Sequence, residues 1–389
     1  MDSKLPRVGT TIFTVMSRLA VEHSAVNLGQ GFPDFEPPDL LCQRLSEAIR
    51  EGRNQYAPMH GVAALREAIA EKTRDDYGRV VDAEREVTVV SGASEAIFDA
   101  VQAVVRPGDE VIVLDPCYDC YEPAIDLAGG RAIHVPLDPV DFSVDWDRVE
   151  AAFTEHTRLL MLNSPHNPSG AVFDADDIAA LGHLVERFQP WLISDEVYEH
   201  IVFDGRRHES LSRYPNLAER TFVVSSFGKT FHCTGWKVGY CLAPPALTEE
   251  FRKVHQYNTF CTFGPAQWAL AAMLREQPAH HRELAGFYQD RRDHFRALLA
   301  DTPLRLLPVP GGYFQLVDYS EVSDLDDAAF VRWLTIEHGV AAIPLSPFYQ
   351  QPPVDQRLAR LCFAKNPETL ATAAERLARL PRRGESVTA

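Results

Sequence analysis

Between residues 86 and 243 the chain alternates short β-branched, apolar runs with segments of helical apolar spacing. Glu86–Val90, Glu110–Leu114, Leu159–Asn163, Trp191–Ser194, Thr221–Ser225 and Val238–Ala243 read as strands. Ser94–Val105, Asp119–Ala128 and Ala175–Phe188 read as helices between them. Strands this uniformly apolar are covered on both faces, and strand–helix alternation builds crossover units. The expected architecture is an α/β fold with a mostly parallel sheet flanked by helices. In such sheets ligands sit beyond the carboxyl ends of the strands, so the residues just after each strand are where chemistry is expected.

A chain of 389 residues is long for one compact core, which predicts a large and a smaller domain. Helices at Leu40–Ile49 and Val62–Tyr77, the second stopped by Gly78, precede the alternation. After about Ala279 the pattern changes. A helix at Phe287–Leu299 leads through Pro310-Gly311-Gly312 to a strand at Tyr313–Asp318. A helix at Asp327–His338, strands at Val340–Pro344 and Leu358–Phe363, and a last helix at Pro367–Leu380 follow. The expected division is a large domain at 40–279 and a small α+β domain made of 1–39 and 280–389. The segment before Leu40 has little regular pattern, and Pro381–Ala389 reads as a frayed end.

A formal charge of −17 argues against a phosphate-neutralising nucleic-acid surface or a polybasic membrane anchor. The first eighteen residues lack a signal-type apolar run, and no stretch approaches the roughly 20 apolar residues of a membrane helix. A cytoplasmic protein is expected. Seven dispersed cysteines read as reduced thiols. Cys117 and Cys120 form a lone C-x-x-C without the second pair or histidines a zinc site needs. Gly29-Gln30-Gly31 begins like a dinucleotide fingerprint, but Asp34 stands where its third glycine belongs. The fourteen histidines show no ligand spacing, so no metal is expected.

Four segments just after strands carry the chemistry. Ser91-Gly92-Ala93-Ser94 ends a strand and opens a helix, a phosphate cradle of backbone N–H groups and helix dipole. Asn163–Gly170 contains two X-Pro steps and presents the Asn167 amide from a tight turn. Asp195 ends an apolar strand with Tyr198 three residues on. Ser226-Phe227-Gly228-Lys229 follows another strand, with Lys237 eight residues past the lysine. A lysine among small residues can form an imine with a planar aldehyde cofactor, because lysine pKa falls readily on burial. A carboxylate such as Asp195 can pair with a protonated pyridine nitrogen and keep that ring an electron sink. Together the segments point to pyridoxal 5'-phosphate (PLP), held by Lys229 as a Schiff base.

In that order the motifs resemble the fold-type I, class I/II aminotransferases, over nearly the whole chain from Val26–Phe35 (VNLGQGFPDF) to Arg360–Phe363 (RLCF). Leu5–Phe13, Asn54–Met59 and Ser225–Tyr240 resemble the kynurenine and glutamine aminotransferase branch, and within it the bacterial methionine aminotransferases. The resemblance implies a seven-stranded large-domain sheet. It implies that Lys229 shuttles the α-proton and Asp195 pairs with the pyridine nitrogen. Tyr198 and Asn167 contact the ring oxygen, and Tyr118 stacks on the ring. Gly92, Ala93, Ser94, Ser226 and Lys237 hold the phosphate. Arg360 grips the substrate carboxylate, with Asn167 and Gly31 assisting and Phe13 beside them. Tyr56 reaches the neighbouring subunit's phosphate, which implies a homodimer with shared active sites. Lys237 stands where many relatives carry Arg, as it does in the kynurenine and methionine branch.

The implied reaction moves an amino group from an amino acid to a 2-oxo acid by a ping-pong route. Residues 254–274 lack an arginine for a dicarboxylate side chain. Ile12, Phe13, Phe32, Tyr56 and Tyr118 suggest an apolar pocket suited to methionine, aromatic amino acids or kynurenine. A β-lyase acting on cysteine S-conjugates would use the same cofactor residues. A PLP-binding transcription regulator would need a DNA-binding extension ahead of the fold, which here begins near Leu5.

Overall fold

The computed structural model describes residues 2–383. The last six residues of the expected frayed end lie outside the described residues. Seven strands form the main sheet: β1 (Val87–Val90), β2 (Glu110–Asp115), β3 (Arg131–Pro136), β4 (Thr157–Asn163), β5 (Trp191–Asp195), β6 (Thr221–Ser226) and β7 (Gly239–Leu242). Their order is β1-β7-β6-β5-β4-β2-β3. Every pairing from β6 through β3 is parallel, and β7 runs antiparallel to both β1 and β6. Successive side chains point to opposite faces. Leu160, Leu162 and Leu192 pack on one side with the helices Ala63–Tyr77, Ala175–Phe188 and Gly264–Glu276. Leu159, Met161 and Ile193 pack on the other with the helix Ala93–Val104. This double cover explains why β1, β2 and β6 are buried at every position.

The C-terminal part holds a second, antiparallel sheet: β8 (Arg305–Leu306), β9 (Phe314–Asp318), β10 (Ile343–Pro344) and β11 (Leu358–Cys362), in the order β10-β11-β9-β8. The helices Asp327–His338 and Pro367–Leu377 share its core with Met16, Leu19 and Leu28 of the N-terminal segment. Val26–Asn27 pairs in parallel with Val340–Ala341.

Several elements differ from the sequence reading. The segment before Leu40 contains a helix, Ile12–Glu22, capped by Thr11 accepting from the Thr14 N–H. β3 is a partly exposed edge strand whose Arg131 and His134 interrupt the apolar run. Helices Pro245–Asn258 and Gly264–Glu276 have no counterpart among the expected elements, and the helix expected from Phe287 starts at Ala279. The strand expected at Val340–Pro344 breaks at Ala342, its two halves serving different sheets. Gly78 ends its helix at φ +73°, a backbone region in which a Cβ is strained.

Candidate active site

The carboxyl ends of β1, β4, β5 and β6 open on one cleft of about 340 Å³, closed on the far side by β11 and the N-terminal segment. At one end, Ser91-Gly92 turn the chain from β1 into the helix Ala93–Val104. Ala93 and Ser94 line the cleft, and the first N–H groups of a helix have no intrahelical acceptor. Gly92 has φ +86°, and a Cβ there would lie 3.2 Å from both Cε and Nζ of Lys237. Gly239, which opens β7, has no room for a Cβ, which would approach the Ser225 carbonyl oxygen to 2.6 Å. These close approaches bring the helix start, Ser226 and Lys237 around one pocket. Lys237 has no carboxylate within 4 Å among the described residues.

In the middle, Asp195 closes β5. One carboxylate oxygen accepts from the Tyr121 hydroxyl at 2.7 Å, the other from the Val197 N–H at 3.4 Å. Burial pushes its pKa up to about 6, and the Tyr121 bond pulls it partly back. No cation stands within 4 Å of it among the described residues. Lys229 sits on a single helical turn, Phe227–Thr230, directly after β6. Its Nζ donates to the Tyr313 hydroxyl at 3.0 Å and the Gly31 carbonyl at 3.3 Å. Burial lowers its pKa to about 8, so the neutral amine is within reach at ordinary pH. Tyr198 is buried beside it, its ring centroid 5.6 Å from Nζ.

At the other end, Asn163 donates to the Asp195 carbonyl at 2.8 Å and accepts from the Asn167 N–H at 2.8 Å. This fixes the turn that carries Asn167. The Asn167 side-chain oxygen accepts from Nη1 of Arg360 at 2.6 Å, and the Gly29 carbonyl accepts from Nη2 at 3.0 Å. Arg360, on β11, is 1 % exposed and lies 3.9 Å over the Phe314 ring. Its Nε has no partner, and no carboxylate stands within 4 Å among the described residues. Phe13, Phe32, Tyr118, Ile97 and Val197 supply apolar walls.

The cleft thus gathers Lys229, Asp195, Tyr198, Gly92, Ala93, Ser94, Tyr118, Asn167, Ser226, Lys237, Gly31, Arg360 and Phe13. It does not gather Tyr56, which is 85 % exposed and packs edge-on against Phe260. Ile12 is a correction. It lines a separate hollow with Thr10, Thr11 and Phe348, because the helix starting there turns Phe13 into the cleft. Sequence reasoning missed Tyr121, Asn163, Tyr313 and Phe314. Tyr121 lies one turn beyond Tyr118, and Tyr313 follows two glycines, signals that register only once the fold is known.

The family described as "Aminotransferase class I and II" matches residues 23–377. The methionine aminotransferase of Escherichia coli K12 is 54 % identical over 97 % of this chain and 98 % of its own length. The solved structure of the E. coli protein YbdL, identified as a methionine aminotransferase, superposes with a TM-score of 0.95, covering 98 % of this chain and 99 % of that one. Human kynurenine–oxoglutarate transaminase 1 is 36 % identical over 92 % of this chain and 93 % of its own. With an α/β fold built around a mostly parallel seven-stranded sheet and a family match across most of its length, the chain is a member of aminotransferase class I and II.

Proposed function

We propose that this aminotransferase uses PLP to move the amino group of methionine, or of an aromatic or other hydrophobic amino acid including kynurenine, to a 2-oxo acid by a ping-pong route. One observation carries the reading. The cleft holds two cations without counter-ions at opposite ends, Lys237 and Arg360, and a carboxylate without a cation, Asp195, between them. Arg360 and Asp195 are buried, and unpaired buried charges are strongly unfavourable unless a ligand completes them, while Lys237 stands exposed at its end of the cleft. The complementary ligand is an anion at each end with a cationic ring nitrogen in the middle. A cofactor phosphate and a substrate carboxylate supply the two anions. The Gly92 cradle, whose φ of +86° a Cβ would strain, and the raised pKa of Asp195 fit that phosphate and that nitrogen.

Bound PLP supplies an aldehyde for imine formation and a ring that takes up the electron pair left by the departing α-proton. The chain does the rest. Lys229 is placed to remove and return the proton at the substrate α-carbon. Asp195 would accept the N–H of the bound ring nitrogen and keep that nitrogen protonated. Tyr198 and Asn167 would hydrogen-bond the ring oxygen, and Tyr118 would pack on the ring face. The Arg360 fork holds the α-carboxylate in register, with Asn167 and the Gly31 backbone beside it. Phe13 and Phe32 leave an apolar place for the side chain, and thioether sulfur packs well on aromatic rings. Among the described residues Arg360 is the one arginine lining the cleft, which supports an uncharged rather than a dicarboxylate side chain. In this reading residues 40–279 form the cofactor-binding domain and 1–39 with 280–389 the smaller one. A homodimer brings each Tyr56 to the neighbouring phosphate.

The test is a half-reaction screen. Each amino acid is mixed with the yellow holoenzyme and the loss of imine absorbance followed. Fast conversion by methionine and aromatic amino acids is expected. Response to aspartate alone overturns the substrate reading, and oxo-acid-independent pyruvate and ammonia release from cysteine conjugates favours a β-lyase. Borohydride should fix the cofactor on Lys229, and Lys229→Ala should lose both the imine band and turnover.

A further inference from the structure

Tyr313 belongs to none of the motifs above, yet it touches the reacting nitrogen. Its side chain is fully buried where Gly311-Gly312 deliver the chain into β9. Neither glycine admits a side chain readily. Gly312 has φ +70°, and a Cβ on Gly311 would lie 2.7 Å from Val172 and 2.9 Å from Pro165. A backbone clamp fixes this delivery: the Phe203 N–H donates to the Pro310 carbonyl at 2.9 Å and the Gly312 N–H to the Ile201 carbonyl at 2.8 Å. The segment after Tyr198 and the segment before Tyr313 are thereby locked together. The two rings meet edge to face at 5.0 Å, and Lys229 Nζ lies 5.6 Å from each centroid.

The hydrogen bonds have a definite sense. The Tyr313 hydroxyl spends its proton on the Gly31 carbonyl at 2.5 Å, so its lone pairs face Lys229 Nζ at 3.0 Å. Gly31 accepts a second bond from Nζ at 3.3 Å. A Cβ on Gly31 would come within 2.8 Å of Phe314, so a bare backbone at this position lets the carbonyl reach both groups. Nζ therefore rests in a cage with two acceptors, on the side of the cleft that Gly31, Phe32 and Arg360 give to the substrate.

We infer that Tyr313 is a further catalytic residue, the docking acceptor that holds the Lys229 amine beside the substrate α-carbon while that amine is not bonded to the cofactor. When the substrate C–H bond breaks, the proton joins the nitrogen lone pair of Lys229 and the C–H electron pair passes to the bound cofactor. The new ammonium donates to Tyr313 and Gly31, which orients it to return the proton. No further oxidant or reductant enters. The inference rests on Lys229 being the imine lysine.

Tyr313→Phe removes the hydroxyl and keeps the ring. In the apoenzyme, the pH dependence of Lys229 reductive methylation should move to lower pH, because an acceptor for the ammonium is gone. Cys362, Arg360, Lys237, Asp195 and Tyr198, the other titratable groups around Lys229, are unchanged. In the holoenzyme, exchange of the methionine α-proton with solvent deuterium should slow about tenfold or more, with KM changed less than threefold. An unmoved amine titration together with an unmoved exchange rate overturns the role of Tyr313. If instead borohydride fails to label Lys229 in the wild-type protein, the underlying reading fails. A measurement without any variant guards against misfolding. In a crystal of the wild-type protein with pyridoxamine phosphate bound, Nζ should lie within hydrogen-bond distance of the Tyr313 hydroxyl. An amine turned to the phosphate end overturns the inference.

Discussion

At the scale of single residues, the cleft is organised by charges that lack partners until ligands arrive. Arg360 keeps its fork in place through two neutral acceptors, Asn167 and Gly29, which orient it without neutralising it. Arg360→Lys retains the charge and loses the planar fork. Losing one charge-assisted hydrogen bond removes roughly 1.5–3 kcal/mol, so KM for methionine should rise about 10–100-fold with a smaller change in kcat. Steady-state kinetics check this. Asp195→Asn keeps the Tyr121 contact and removes the charge opposite the ring nitrogen. If that charge stabilises the transition state, kcat should fall about 10²–10³-fold while cofactor still binds, read by single-turnover absorbance. Asp195 and Lys229 were legible in the sequence because each stands at the end of or just after a strand, Lys237 by its place eight residues past Lys229, and Arg360 only through the family resemblance. Tyr121, Asn163 and Tyr313 were not, since their importance lies in what they touch: the Asp195 carboxylate, the Asp195 carbonyl and the Lys229 amine.

At the scale of elements, two buried polar networks hold the site-bearing segments together. Behind β6, Lys72 of the helix Ala63–Tyr77 pairs with Glu199 at 2.8 Å, and Tyr77, Ser225 and Tyr240 bond the same carboxylate. Burial alone would raise the Glu199 pKa, but Lys72, His200 and the Ser225 hydroxyl bring it well below the ordinary range. Lys72→Met strands that carboxylate and should destabilise the fold by about 3–5 kcal/mol in denaturant titrations. Beneath the cradle, His255 of the helix Pro245–Asn258 bonds Glu95 at 2.7 Å and the Met59 carbonyl at 2.8 Å, with Asp99 at 3.6 Å. Burial disfavours its charge, yet the two carboxylates raise its pKa to about 9. The folded value lies above the unfolded one, so this contribution is complete below about pH 6.5 and lost as pH rises through 9. The term is on the order of 3 kcal/mol, and in His255→Gln the fall in stability between pH 7 and 10 should flatten accordingly. The central strands were legible because double burial makes them continuous apolar runs. The edge strand β3 and the helix Ile12–Glu22 were not, since polar residues interrupt the first and the second is short, amphipathic and shaped by its docking on the C-terminal core.

At the scale of the whole molecule, Tyr56 and Tyr257 are each 85 % exposed, and Phe260, which packs against Tyr56, and Phe263 are exposed to a lesser degree. The proposed homodimer gives these aromatics a role, with Tyr56 completing the other subunit's site. Mixing Lys229→Ala and Tyr56→Ala subunits should then restore activity. A heterodimer has one site lacking both groups and one wholly intact, so random exchange yields about a quarter of wild-type activity. Mixtures that stay as inactive as their parents exclude shared sites. The proposed two-part division follows the change of pattern near residue 279. The joining of N-terminal and C-terminal segments through Val26–Asn27 and Val340–Ala341 was not, because a two-residue parallel pairing across more than three hundred residues leaves no local trace.

In the proposed reading, Arg360 also sets a kinetic character for the catalyst. A single fixed fork greets every carboxylate that enters, whether it arrives as amine donor, keto product, keto acceptor or amine product. Each partner in the cycle therefore rivals the others for one seat, and an excess of the second reactant traps the enzyme form that is waiting for the first. Throughput should peak at intermediate concentrations of the keto acceptor and decline beyond them.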